Sequence, residues 1–132
     1  MTGAHVIPQF VDSAGLRPAS DLVLAGPLAF VSGLIGADLT KPSAPLGESV
    51  EAQTRRIMSN LDTLLAAQQL SREQVVCVTV WLREFARMEE RFEKIWPECF
   101  GNAQRPTRQL VGASGLARDA LVSMDFVIAR RA

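Results

Sequence analysis

Apolar positions along this chain recur with two periods, and each change of period marks a change of element. Residues from about His5 to Phe10 and from Asp21 to Gly33 form short apolar runs broken by Pro8, Pro18, Gly26-Pro27 and Gly33, which predicts short strands. Gly26-Pro27 separates Leu22-Val23-Leu24 from Leu28-Ala29-Phe30-Val31 and reads as a hairpin turn. Between Gly36 and Gly47 no period survives, so this is a loop placed to border a site. From Glu48 the spacing becomes helical: Val50, Ile57, Leu61, Leu64 and Leu65 share one face, while Glu51, Arg55, Arg56 and Asp62 lie elsewhere on the wheel. Ser71-Arg72-Glu73-Gln74 has the form of a capping box that starts a short turn. Val75 to Leu82 is β-branched and almost uninterrupted, as a central strand would be. Phe85, Met88, Phe92, Ile95 and Trp96 mark the stripe of a second helix that Pro97 or Gly101-Asn102 ends. Two strands close the chain, near Pro106 to Gly112 and Leu121 to Arg130, with Gly112 to Asp119 between them.

The order β-β-β-α-β-α-β-β predicts an α+β fold, a mixed β-sheet with two helices packed on one face. In the last strand Val122, Met124, Phe126 and Ile128 point one way, and Leu121, Ser123, Asp125, Val127 and Ala129 the other. The more apolar set should meet the helices. The opposite face is still too hydrophobic for water, as Val75, Cys77, Thr79 and Trp81 on the central strand also suggest, so another subunit is expected to cover it.

Composition narrows the chemistry. With 132 residues and 48% hydrophobic content, residues 1–132 are expected to form a single domain with one core. Fourteen basic and fourteen acidic residues cancel without long runs of either sign, so no surface for phosphate backbones is expected and nucleic acid is not a predicted partner. No window reaches the length of a membrane span and the N-terminus does not read as a secretory leader, which predicts a cytoplasmic protein with no membrane partner. Cys77 and Cys99 lack metal-ligand spacing and read as free thiols. His5 is the single histidine, a poor basis for a metal centre or a catalytic imidazole. No GxGxxG or Walker-type loop is present, and Ser32-Gly33-Leu34-Ile35-Gly36 is not a nucleophile elbow.

Two features carry candidate chemistry. Arg105-Pro106-Thr107-Arg108 places a guanidinium after a proline-fixed bend, and Asp125 is a lone carboxylate inside an apolar strand. Arginine's planar fork suits a carboxylate held bidentately, and an acid tolerated within a strand has a partner or a task. Together they suggest a site for a small anionic substrate. Plainer readings stand beside this one. Arg108 alone would be a surface or interface residue, Asp125 could pair across a subunit interface with Arg108, Arg118 or Arg130, and Ser32 is most simply a strand-end residue capping the Gly33 turn.

Ser32-Gly33, Glu51-Ala52-Gln53-Thr54-Arg55 leading to Asn60-Leu61, Val75-Val76-Cys77-Val78-Thr79-Val80, Phe85-Ala86, Arg105-Pro106-Thr107-Arg108 and the closing strand resemble, in that order, the Rid (YjgF-like) family. The likeness runs from about Pro18 to the C-terminus. It implies a chorismate-mutase-like fold assembled as a homotrimer, with sheets packed into a central barrel and clefts between subunits. The family's best-known members hydrolyse reactive enamines and imines, such as 2-iminobutanoate and 2-iminopropanoate, to 2-oxo acids and ammonia, with no metal or organic cofactor. By this resemblance Arg108 matches the arginine that holds the substrate carboxylate. Asp125 falls where the family has a glutamate that handles water or a proton, and Ser32 matches a binding serine. Besides Asp125 for glutamate, three further positions depart from the pattern: Ala19 where an aromatic residue is usual, Leu34 in place of glutamine and Glu89 in place of asparagine. Together these imply a more apolar pocket, lined by Ala19 and Leu34, that takes a bulkier enamine or holds a ligand without turnover. The expectation is therefore an enamine/imine deaminase acting on a small carboxylate-bearing metabolite. The alternative is a Rid-like scaffold that binds metabolites or a partner enzyme without catalysis. A ribonuclease role, reported for some relatives, is weakened by the zero net charge.

Overall fold

The alternating apolar runs become strands in the computed structural model, which describes residues 6–12, 19–101 and 105–130. β1 (Gln9–Val11), β2 (Leu22–Ala25) and β3 (Leu28–Leu34) open the chain, and α1 (Val50–Ala66), β4 (Val75–Arg83) and α2 (Phe85–Phe100) follow. β5 (Thr107–Ala113) and β6 (Val122–Ala129) close it, so the element order is the one expected from periodicity. His5, Pro18 and Asn102, which featured in the expected first strand, the first turn and the second helix stop, lie outside the described residues.

The six strands form one sheet in the order β1-β2-β3-β6-β4-β5, antiparallel throughout except for the parallel pair β4-β5. That parallel pair requires a crossover, and α2 supplies it. The β2-β3 hairpin turns at Gly26-Pro27 with Ala25 opposite Leu28, and Gly26 has a φ of 57°, as primed hairpin turns demand. Val122, Met124, Phe126 and Ile128 of β6 are fully enclosed, together with Val78, Val80 and Leu82 of β4. They pack with Val50, Ile57, Leu61 and Leu65 of α1 and Met88, Phe92 and Ile95 of α2, so both helices cover one face of the sheet.

The helix boundaries follow local chemistry. Ser49 caps α1 by accepting the Ala52 N–H at 3.0 Å. Of the two expected stops for α2, Pro97 and Gly101-Asn102, the second holds at Gly101. Pro97 sits in the last turn, and the helix stops at Gly101, whose φ of 68° ends the right-handed run while its N–H donates to the Pro97 carbonyl at 3.1 Å. Ser71 N–H donates to Gln74 Oε1 at 3.0 Å, the reciprocal half of the anticipated capping box, and the turn Arg72–Gln74 follows.

Buried polar side chains of α1 hold the irregular segment between β3 and α1. Asn60 Nδ2 donates to the Ala37 carbonyl at 2.8 Å. Gln53 donates to the Gly47 carbonyl at 2.7 Å and accepts the Leu121 N–H at 2.8 Å, which joins this segment to the start of β6. At Gly36 the main chain lies so close to α1 that an added Cβ would stand 2.8 Å from the Gln53 carbonyl oxygen and 3.0 Å from its Cα. Backbone atoms cannot swing aside, so Gly36→Ala should destabilise the protein by about 1–3 kcal/mol, read as a lower urea midpoint at unchanged m-value.

Candidate functional site

The acid in the last strand faces an irregularity in its neighbour. Val31 pairs with Phe126 and Leu34 with Met124, so Ser32 and Gly33 together oppose the single residue Asp125. β3 therefore continues through this bulge instead of ending at Gly33 as the sequence suggested. A bulge leaves a main-chain N–H without a ladder partner. Here Gly33 N–H donates to Asp125 Oδ1 at 2.7 Å, and its φ of 66° is one that glycine adopts without strain. On the other side of β6, Trp81 is opposite Ser123 and hence diagonal to Asp125. Its Nε1–H donates to Asp125 Oδ2 at 2.9 Å. Each carboxylate oxygen thus holds one N–H and keeps a further lone pair for another donor.

Paired residues on adjacent strands share a face. Asp125, Thr79 and Gln109 lie in one such row, on the face away from the helices. The adjacent row on that face runs Phe10, Val23, Phe30, Val127, Cys77 and Thr107 across all six strands. Phe10 is 69% exposed and Phe30 37%, so an apolar outer face is present, but Val75 is not part of it: the register shift before Cys77 pairs Val75 with Ile128 and buries it in the core.

Arg108 takes the opposite direction. It pairs with Val78, which pairs with Phe126, and both are core residues beneath the helices. From the sheet edge its guanidinium meets Glu93 of α2 in a two-pronged pair at 2.5 and 2.9 Å. Its Cζ also lies 4.9 Å from the centre of the Trp96 ring. Trp96 is held in turn between Phe92 and Phe100, with ring centroids 5.9 and 5.4 Å away. The Arg108 hydrogen bonds hold the Glu93 carboxyl below its ordinary range, and the same contact raises Arg108 further.

The remaining expected site residues scatter within one chain. Ser32 is exposed in the bulge beside Asp125. Leu34 is 4% exposed and packs in the core opposite Met124. Glu89 is exposed on α2, and Ala19 is exposed ahead of β2. Arg118 is engaged by the carbonyls of Pro42 and Ala44 at 2.7 and 2.8 Å, and Arg130 donates to the Gly26 carbonyl at 3.0 Å. Cys99 is buried, and that burial pushes its thiol up to about 11. Cavities of the described residues lie elsewhere: one of about 750 Å³ beside Arg72 and Cys99, one of about 360 Å³ between Gly47 and Arg83 and one of about 150 Å³ between Thr54 and Ile95. Among the described residues no cluster of His, Cys, Asp and Glu is arranged to hold a metal ion, and no helix is long and apolar enough to cross a membrane.

Sequence reasoning missed Glu93 and the two N–H groups on Asp125. Glu93 had one signal, its i,i+3 spacing to Trp96, which puts both on one helix face. Gly33 after Ser32 was the sign of the bulge, since an isolated glycine in a strand pattern marks one.

A six-stranded mixed sheet with two helices on one face is also the fold of solved proteins. A putative endoribonuclease from Thermotoga maritima superposes with a TM-score of 0.82 at 27% identity, covering 94% of this chain and 98% of that one. Residues 13–130 match the family described as Endoribonuclease L-PSP, and the chain belongs to that family, the Rid (YjgF-like) proteins. A RutC family protein of Pyrococcus horikoshii is 31% identical over 115 residues, spanning 85% of this chain and 86% of the relative. Reactive Intermediate Deaminase A, chloroplastic, of Arabidopsis thaliana is 27% identical over 117 residues, 86% of this chain and 59% of the relative.

The geometry makes two outcomes testable. Asp125→Asn turns an amide NH₂ toward either Gly33 N–H or the Trp81 indole, leaving a donor without its acceptor. It should cost about 1–3 kcal/mol, nearer the lower end at this half-buried position, in chemical denaturation. Loss of the Glu93–Arg108 pair should be pH-dependent in a defined direction. Glu93 titrates lower in the folded chain than unfolded, so its contribution is present above the ordinary glutamate pKa of about 4.3 and fades as the pH falls through the depressed value. The stability gap between wild type and Glu93→Gln should therefore be flat above about pH 5, under about 1 kcal/mol because the pair is partly exposed, and should close in acid.

Proposed function

We propose that this protein is a cytoplasmic hydrolytic deaminase that converts reactive enamine/imine intermediates to 2-oxo acids and ammonia, working as a homotrimer at clefts between subunits. Family membership supports the chemistry, and a relative of this chain is named as a reactive intermediate deaminase. The observation that carries the reading is the Asp125 carboxylate, oriented by Gly33 N–H and Trp81 on the face the helices leave open. Held this way, Asp125 presents its remaining lone pairs to a water, which it can orient toward an imine carbon while exchanging a proton. Arg108 supplies the complementary charge for a substrate carboxylate.

The opposed directions of Arg108 and Asp125, with β4 between their strands, favour a site made by two chains. A small molecule that touches both groups would take the arginine from the sheet edge of one subunit and the carboxylate from the open face of another. The apolar row from Phe10 to Cys77 supports packing of that face against neighbouring copies, and closure of three sheets into a barrel would cover it.

A second reading, a non-catalytic metabolite- or enzyme-binding scaffold, is favoured by one observation: both charged groups are already paired within the chain. The readings separate on turnover. Ammonia and 2-oxo acid formation from freshly generated 2-aminoacrylate and from bulkier imines should exceed the buffer rate, and Arg108→Ala should lower kcat/KM by on the order of 100-fold. Buffer-rate hydrolysis of every imine by the wild type would sink the deaminase and leave the scaffold.

A further inference from the structure

We propose that Glu93 is a specificity-determining residue of this site: an internal carboxylate that occupies the Arg108 fork and weakens the binding of carboxylate-bearing ligands there. The proposal rests on the assignment of Arg108 as the anion anchor. It does not require turnover.

The geometry of the pair is that of a bound carboxylate. Arg108 Nη1 and Nη2 each donate to a different oxygen of Glu93, at 2.5 and 2.9 Å, the two-pronged arrangement a substrate carboxylate would seek. The guanidinium is not free to turn away to a second partner. Its strand fixes its origin, its face lies 4.9 Å from the Trp96 centroid, and its side chain is only 23% exposed. Glu93 is the more accessible partner at 43%, on the helix side of the pair. An incoming carboxylate therefore has two options. It displaces Glu93 from the fork, which costs the existing charge-assisted bonds, or it uses the remaining Nε–H and outer Nη–H donors and sits beside a second anion. Both weaken carboxylate binding relative to an arginine with an open fork. A neutral imine that needs only Asp125 and the apolar face avoids the conflict, so Glu93 shifts the site's preference toward uncharged or weakly charged imines.

The test is equilibrium binding, independent of catalysis. 2-Oxobutanoate, a stable carboxylate of the product class, is titrated calorimetrically into wild type, Glu93→Gln and the double variant Glu93→Gln/Arg108→Ala. Glutamine keeps the size of residue 93 and removes its charge. It should tighten 2-oxobutanoate binding on the order of tenfold, with partial exposure limiting the gain, and Arg108→Ala should abolish that gain. Where turnover is measurable, Glu93→Gln should lower KM for a carboxylate-bearing imine with little change in kcat, and leave KM for a neutral cyclic imine unchanged. Equal affinities of wild type and Glu93→Gln, absence of binding by both, or a gain that survives removal of Arg108 would each overturn the proposal. Absent ammonia release with a tenfold tighter Glu93→Gln would instead sink the deaminase and leave Glu93's role standing.

Discussion

A side chain on a strand has two faces available, and in β5 and β6 that parity separates Arg108 from Asp125. The register locks it. Arg108 stands in the row with Val78 and Phe126, Asp125 in the row with Thr79 and Gln109; a one-residue slip of β6 would drive the Asp125 charge into the core, and one of β5 would turn Arg108 onto the open face. The fully enclosed Met124, Phe126 and Ile128 therefore determine where the acid goes as much as any interaction of the acid itself. The direction of the arginine, the openness of the polar row and the separation of the two charges onto opposite faces of the sheet all descend from this alternation.

The same constraint explains which parts of the molecule could be read from the sequence. Periodicity is a property of single segments, so the alternation in β6, the stripe of α1 and the order of elements were all legible from Leu121 to Ala129 and from Val50 to Leu65. Pairing is a property of two segments. The spacing of Glu93 to Trp96 puts both on one helix face but does not tell a solvated glutamate from one that grips an arginine 15 residues later, and nothing local to Trp81 announces an indole aimed at a carboxylate 44 residues on. Leu34 shows the same limit. The family resemblance implied a pocket wall there, in place of the family's glutamine, but the bulge adds one residue to β3 and with it returns Leu34 to the core side opposite Met124. Sequence left the stop of α2 open between Pro97 and Gly101 because a proline in the last turn disturbs little: the helix has only Glu98 to Phe100 left to form.

Asp125 has a structural role whose geometry also suits the chemistry proposed for it. A bulge with a left-handed Gly33 presents an N–H that needs an acceptor, and an aspartate across the ladder supplies it. Satisfying that donor alone would be served by an uncharged acceptor. The second donor, from Trp81, makes a carboxylate the better choice, because an amide would turn its own NH₂ toward one of the two. The result is a carboxylate whose plane is fixed by the scaffold, while its free lone pairs stay on the face turned away from the helices. Orientation by the scaffold is what a residue handling water requires, since its position then does not depend on the ligand.

Arg108 presents the converse arrangement. Its position is fixed by the strand and by Trp96, but its fork is spent within the chain on Glu93. An arginine offered to a ligand with its fork open carries a net positive charge into the cleft and recruits anions from a distance. One that arrives paired contributes no net charge, and must either exchange partners or share its donors. Glu93 is reached from α2 and Arg108 from β5, so any movement of that helix against the sheet edge would alter the pair without moving the polar row on the other face. The Arg108–Glu93 pair and the orientation of Asp125 are thus anchored to different layers of the fold, the first to the helix layer and the second to the sheet. A substitution at residue 93 therefore frees the arginine fork while the carboxylate on the open face keeps its geometry.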